Sequence, residues 1–170
     1  TIEIVRGISK MREELLVKLD KLPETLREMK KLCDHHNPYN IAMMIMSSFC
    51  VYSNDPDEAI KMLKYLYGPR RLTDEDISFV KDRLNKSSKY TPLSYFKGAT
   101  PENEYQVEFP YELNILDDKD EDDYLTLFLK SGGADAPRLL KLRKKKDGTW
   151  WLWQHYLLMD IKDPIVDSWT

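Results

Sequence analysis

Histidine, cysteine and glycine are all scarce in this chain: three, two and six in 170 residues. Each shortage closes something off. Two cysteines, Cys33 and Cys50, cannot form the disulfide framework of a small secreted domain, and they point to a reducing, cytoplasmic setting. Cys33, His35, His36 and Cys50 lack the short paired spacing of zinc ligands, so no metal is expected. The longest uninterrupted apolar run, Ile41 to Met46, is far too short to span a bilayer, so no membrane segment is expected. The opening TIEIVRGISK lacks the basic start, apolar centre and cleavage site of a secretory signal, although a chain that does not begin with Met leaves a removed leader open. No G-x-x-x-x-G-K-[ST] or G-x-S-x-G pattern occurs, which excludes a phosphate-cradling loop and a nucleophile elbow; no cofactor is expected. A net charge of −3 argues against a generally basic nucleic-acid binder.

What is present suffices for one domain with a core. Hydrophobic content is 42% and charged content 32%, which excludes disorder along the whole length. The charge is uneven: residues 1–90 carry 16 basic and 14 acidic side chains (+2), residues 91–170 carry 10 and 15 (−5). The hydrophobic period changes at the same place. Met11, Leu15, Leu16 and Leu19 have helical spacing, predicting a helix over Met11 to Asp20. Pro23 opens another through Leu22, Leu26, Met29 and Leu32; His35 and His36 follow its end, where they would answer the helix dipole. Tyr39 to Tyr52 is apolar almost all round, as a buried central helix must be, so the methionines at 43, 44 and 46 are expected in the core. Asn54 or Asp55 caps a helix beginning at Pro56, and Thr73 to Asp76 reads as a capping box for the next.

Residues 91–170 read as strands. Tyr105, Val107 and Phe109 alternate with Gln106 and Glu108, predicting an edge strand that Pro110 ends or breaks. Asp117 to Asp123 (DDKDEDD) is expected as a solvated hairpin loop, since it lacks the glycine and glutamate spacing of an EF-hand. Tyr124 to Lys130 is apolar on both faces, like a central strand. Arg138 to Lys144 and Trp150 to Leu158 follow as a hairpin. A three-residue loop with Gly148 left-handed would set Leu142 opposite Leu152, Leu140 opposite Gln154, Lys141 opposite Trp153 and Arg143 opposite Trp151. A two-residue Asp-Gly turn would invert this; cation–π contact favours the first register. The tail to Trp169 reads as a loose arm or a clasp. The expected fold is α+β: four or five short helices in residues 1–90, packed on an antiparallel sheet of four or five strands in residues 91–170, the two forming one compact domain.

Three segments, TPLSYFKGATPENEY, LFLKSGGADAPRLLKLRKKKDGTWWLWQHYLL and DPIVDSW, resemble an uncharacterised bacterial domain family found chiefly in Firmicutes. Its shared motifs are SYF-GATP-N, SGG-D-PR and LR-K-G-W-LW, and the likeness covers about residues 35–170. The resemblance implies no activity and no catalytic residues. Locally, RLLKLRKKKDGTWWLW is also similar to the closing strands of NTF2-like proteins, which implies a curved sheet enclosing a cup.

Three groups could carry chemistry. Gly132 and Gly133 could form a backbone nest for an anion, with Arg138 adding a bidentate fork; otherwise they make a strand-to-strand turn. Lys141 and Arg143 beside Trp151 and Trp153 could bind a protein partner or, by stacking, single-stranded nucleic acid; the acidic balance disfavours the latter, and a hairpin with core tryptophans is the plainer account. His155 would need a nucleophile such as Ser131 and an orienting acid such as Asp160 or Asp135 to serve a hydrolase; otherwise it is a packed histidine. These residues predict a non-enzymatic module that binds a protein or a small anionic ligand through the last hairpin and the glycine-rich turn. The alternative is an enzyme with a pocket between helices and sheet.

Overall fold

The structure, a computed structural model, describes residues 2–9, 12–87 and 89–166. Four α-helices, α1 (Leu26–Leu32), α2 (Pro38–Val51), α3 (Pro56–Tyr67) and α4 (Asp74–Ser87), lie between β2 (Arg12–Leu19), which follows β1 (Ile2–Ser9), and β3 (Tyr111–Glu121). β4 (Tyr124–Leu129), β5 (Arg138–Lys144) and β6 (Trp150–His155) complete the order. The described strands form one six-stranded antiparallel sheet in the sequential order β1-β2-β3-β4-β5-β6. The class is α+β, with six strands instead of the expected four or five.

The helices start where side chains can satisfy their free N–H groups. Thr25, Asn37 and Asp55 accept from the first turns of α1, α2 and α3. Thr73 and Asp76 close a reciprocal capping box on α4, at 3.1 and 3.0 Å. α2 buries every residue from Asn40 to Phe49, and it contacts both β2 and β6, so it crosses the inner face of the sheet. Met43, Met44, Ile45, Met46 and Phe49 fill the space between helices and sheet. Each such burial stabilises the fold by about 1.5–3 kcal/mol. The methionines are therefore core residues. Among the described residues no helix is long and apolar enough to cross a membrane.

Four expectations need correction. The helix over Met11 to Asp20 is instead strand β2; Met11 itself lies outside the described residues. Leu15, Val17 and Leu19 also alternate, and all three are buried against Ile115, Leu113 and Tyr111 of β3. An apolar strand edge needing a partner outweighs local spacing that fits both periods. Tyr105 to Phe109 is not a strand. Glu104 and Tyr105 turn at positive φ, so Tyr105 points inward and stacks on Tyr90 while Phe109 is 73% exposed. The acidic run is not a loop: β3 continues through Glu121 and only Asp122 and Asp123 turn, because exposed side chains leave the backbone free to pair with β4. β6 stops at His155 and not Leu158.

Beyond β6 the chain crosses the glycine-rich turn. Leu157 and Leu158 are buried, Lys162 N–H donates to the Gly133 carbonyl (2.9 Å), and Ile165 N–H donates to that of Pro101 (2.8 Å). The described part of the tail is a clasp; Trp169 lies outside the described residues.

Candidate functional site

The last hairpin turns through Lys146, Asp147 and Gly148, with Gly148 at φ +86° and Lys145 N–H donating to the Thr149 carbonyl (2.8 Å). Leu142 pairs with Leu152 and Arg143 with Trp151, as the three-residue loop requires. A bulge then intervenes: Lys141 pairs with Gln154, not Trp153, and Leu140 with His155, not Gln154. The extra residue opposite β5 is Trp153. A bulge bends the strand and re-aims side chains, and here Trp153 reaches Tyr124 (5.7 Å, edge-on) and Arg143.

Leu140 and Leu142 of β5 are inward and fully buried, which puts Lys141 and Arg143 on the outer face. There Arg143 lies over Tyr124 (5.4 Å) and Trp153 (4.7 Å), and Lys141 lies over Tyr124 (4.8 Å). The short 3-10 turn Gly68–Arg70 brings a second guanidinium: Arg70 sits over Tyr67 (4.6 Å) and Trp153 (5.7 Å). Arg70 is held by Asp76 through a two-pronged bond of 2.8 and 3.3 Å. Burial alone would raise the Asp76 carboxyl, but hydrogen bonds from Arg70 and Thr73 pull it below the usual carboxylate range. One guanidinium near Trp153 is thus fixed and neutralised. The other, Arg143, is exposed and makes no ion pair among the described residues.

These side chains line a groove of about 560 Å³ beside β6, walled by Tyr67, Arg70, Arg143, Lys145, Trp151 and Trp153. The other tryptophan is part of the frame. Trp151 stacks on His35 (centroids 4.0 Å apart) and donates Nε1–H to Thr149 Oγ1 (2.8 Å), which in turn donates to Asp147. A Cβ on Gly68 would lie 2.2 Å from the Trp151 ring, so glycine is needed there for the 3-10 turn to close over the hairpin. His35 is not a helix cap: its Nδ1–H donates to the Trp150 carbonyl (3.0 Å), its backbone carbonyl accepts from Trp150 N–H (2.7 Å), and Cys33 provides the cap of α1. Nothing in the sequence brought Tyr67, Arg70 or His35 to this hairpin, because they are remote in the chain and their order is set by α3 and the turn after it.

The glycine turn uses its donors internally. Gly132 N–H donates to the Ser94 carbonyl (2.8 Å) and Gly133 N–H to Ser131 Oγ (3.1 Å), which donates to Ser94 Oγ (2.7 Å). A Cβ on Gly132 would lie 1.9 Å from the Ala99 carbonyl oxygen, and one on Gly133 would lie 2.2 Å from the Tyr105 hydroxyl. Both glycines therefore permit close packing of SGG against the SYFKGATP segment. Arg138 spends its fork on carbonyls, donating to Met159 (3.2 Å), Ala136 (3.1 Å) and Asp160 (3.0 Å).

His155 packs against Phe49 (5.1 Å) and Phe79 (6.2 Å). Its Nδ1 is buried without a hydrogen-bond partner among the described residues, and burial pushes its pKa down to about 4. Ser131 bonds to Ser94 and Gly133, so the structure does not bring nucleophile and base together. Burial also pushes the Cys33 and Cys50 thiols up to about 12, which keeps them protonated and unreactive. Among the described residues no group of three or more His, Cys, Asp or Glu is placed to hold a metal ion.

Residues 21–165 match the family described as a domain of unknown function, DUF6935. The chain belongs to that family. The match takes in α1 through β6, including every wall of the groove, and it begins after β1 and β2. No curated protein and no solved structure matches the chain.

Proposed function

We propose that this domain is a non-enzymatic recognition module of the cytoplasm, with the groove beside β6 as its binding face for an anionic partner, either an acidic protein segment or a small anionic ligand. One observation carries the reading: Arg70 and Arg143 both lie over the Trp153 ring, and of these two only Arg70 forms an ion pair among the described residues. A half-buried indole supplies contact area at low entropic cost, and an uncommitted guanidinium supplies a fork for a carboxylate. Gly132, Gly133 and Arg138 fall outside this face because their donors are already used. A nucleic-acid strand is disfavoured by the acidic balance of residues 91–170, which carry 10 basic and 15 acidic side chains. Two cysteines without the spacing of a disulfide framework support the reducing setting.

Titration of tryptophan fluorescence with hexaglutamate tests the reading. Saturable binding is expected, absent with hexalysine and weakened about tenfold by Arg143→Ala, equivalent to about 1.4 kcal/mol. Equal responses to both peptides, or no response to either, would reject the groove as an anion-binding face.

A further inference from the structure

The ends of the β3–β4 and β5–β6 hairpins are neighbours. Tyr124 pairs with Arg143, and Lys144 N–H donates to the Asp123 carbonyl at 2.7 Å, so both turns lie at the same end of the sheet. One carries Asp117, Asp118, Asp120, Glu121, Asp122 and Asp123; the other carries Arg143, Lys144, Lys145 and Lys146. Among the described residues no ion pair joins these two sets. The ion pairs here stay within each hairpin, Lys119 with Glu121 (2.9 Å) and Lys145 with Asp147 (3.5 Å). Among the described residues Asp120, Asp123, Arg143 and Lys146 form no ion pair, and all four are exposed.

A surface with an acidic and a basic patch side by side is self-complementary. Rotating a second copy by 180° about an axis through this end sets acid against base twice, and such an arrangement closes without leaving a free patch to propagate a filament. A partner carrying charge of one sign would answer only one of the two patches.

We propose that the occupant of the groove is a second copy of this chain, the acidic β3–β4 turn of each copy entering beside Arg143 and Lys146 of the other. This rests on the reading of the groove as an anion-binding face and names its partner. Contacts of this kind are steered and held by charge, so the association is salt-sensitive.

Sedimentation velocity on the full chain tests this at 0.1 M and 1 M NaCl, between which the Debye length falls from roughly 10 Å to roughly 3 Å. A dimer that dissociates at high salt is expected. Asp120→Lys with Asp123→Lys, and separately Arg143→Glu with Lys146→Glu, should each weaken it about tenfold or more. An equimolar mixture of the two variants should restore the dimer, since each reversed patch then meets its opposite; circular dichroism confirms that each variant is folded. A wild-type chain that stays monomeric at 0.1 M NaCl, or a mixture that stays monomeric while both variants are folded, overturns the proposal. Hexaglutamate binding by such a monomer would leave the groove reading standing, whereas loss of both would remove the two together.

Discussion

The glycine-rich turn and the last hairpin are the two chemically conspicuous parts of this chain, and they put their polar groups to opposite uses. The turn spends them inward: the N–H groups of Gly132 and Gly133 and the whole Arg138 fork end on atoms of the protein. The hairpin keeps them outward: Arg143 stands exposed over the Tyr124 and Trp153 rings, and neither it nor the exposed Lys146 has a carboxylate partner among the described residues. Glycine with arginine thus builds a joint in one place, while arginine and lysine with tryptophan form the proposed binding face in the other. What separates them is where each donor ends, and that cannot be judged from residue type.

The comparison can be broken most sharply at Gly132. Its Cβ would meet a backbone carbonyl that cannot swing aside, so Gly132→Ala should cost about 3 kcal/mol or more through overpacking and backbone shift. A thermal melt reads the loss; an unchanged melting temperature would mean the turn is looser than described. The next largest effect concerns pH. His155 has its pKa lowered in the fold from the ordinary 6.5 to about 4, so the unfolded chain binds the proton more readily. Its contribution is complete above about pH 6.5 and is lost as pH falls towards 4, on the order of 2–3 kcal/mol in all. Urea melts of wild type and His155→Gln across that range should therefore show the wild type losing more stability, and parallel slopes would contradict the assignment.

Arg138→Ala removes three donations that fasten Ala136, Met159 and Asp160, and should cost about 1–2 kcal/mol while leaving hexaglutamate affinity unchanged. A binding defect without loss of stability would return the turn to the binding face. The smallest effect on stability is expected at Arg143→Ala, about 0.5 kcal/mol or less, for an exposed side chain with no ion pair to lose. Its effect belongs in the titration, and the pair Arg138 and Arg143 thereby measures the contrast between joint and face directly.

Helix positions were legible where the signal is local and redundant. Asn37-Pro38, Asp55-Pro56 and the Thr73 to Asp76 box each place a side-chain acceptor beside free N–H groups. The half-correct hairpin register is instructive in the same way: Gly148 dictates the turn and the first pairs, but the bulge at Trp153 is three pairs away and has no turn residue to announce it. β2 was illegible because its leucines fit two periods and only the exposed edge of β3 chooses between them. Tyr105 and Phe109 were misread because alternation says nothing of a turn at positive φ, which Glu104 and Tyr105 adopt against the usual preference.

The sequence by itself determined the α+β class, the buried central helix and the strand–turn–strand character of residues 138–155, since periodicity, caps and turn glycines act over a few residues. Tertiary structure alone decided the site. It brought Arg70 and Tyr67 to Trp153, turned Trp151 into a support for His35, and closed the glycine turn on its own donors. Those outcomes depend on contacts between residues tens of positions apart, whose geometry is set by how the helices lie on the sheet and not by any local preference.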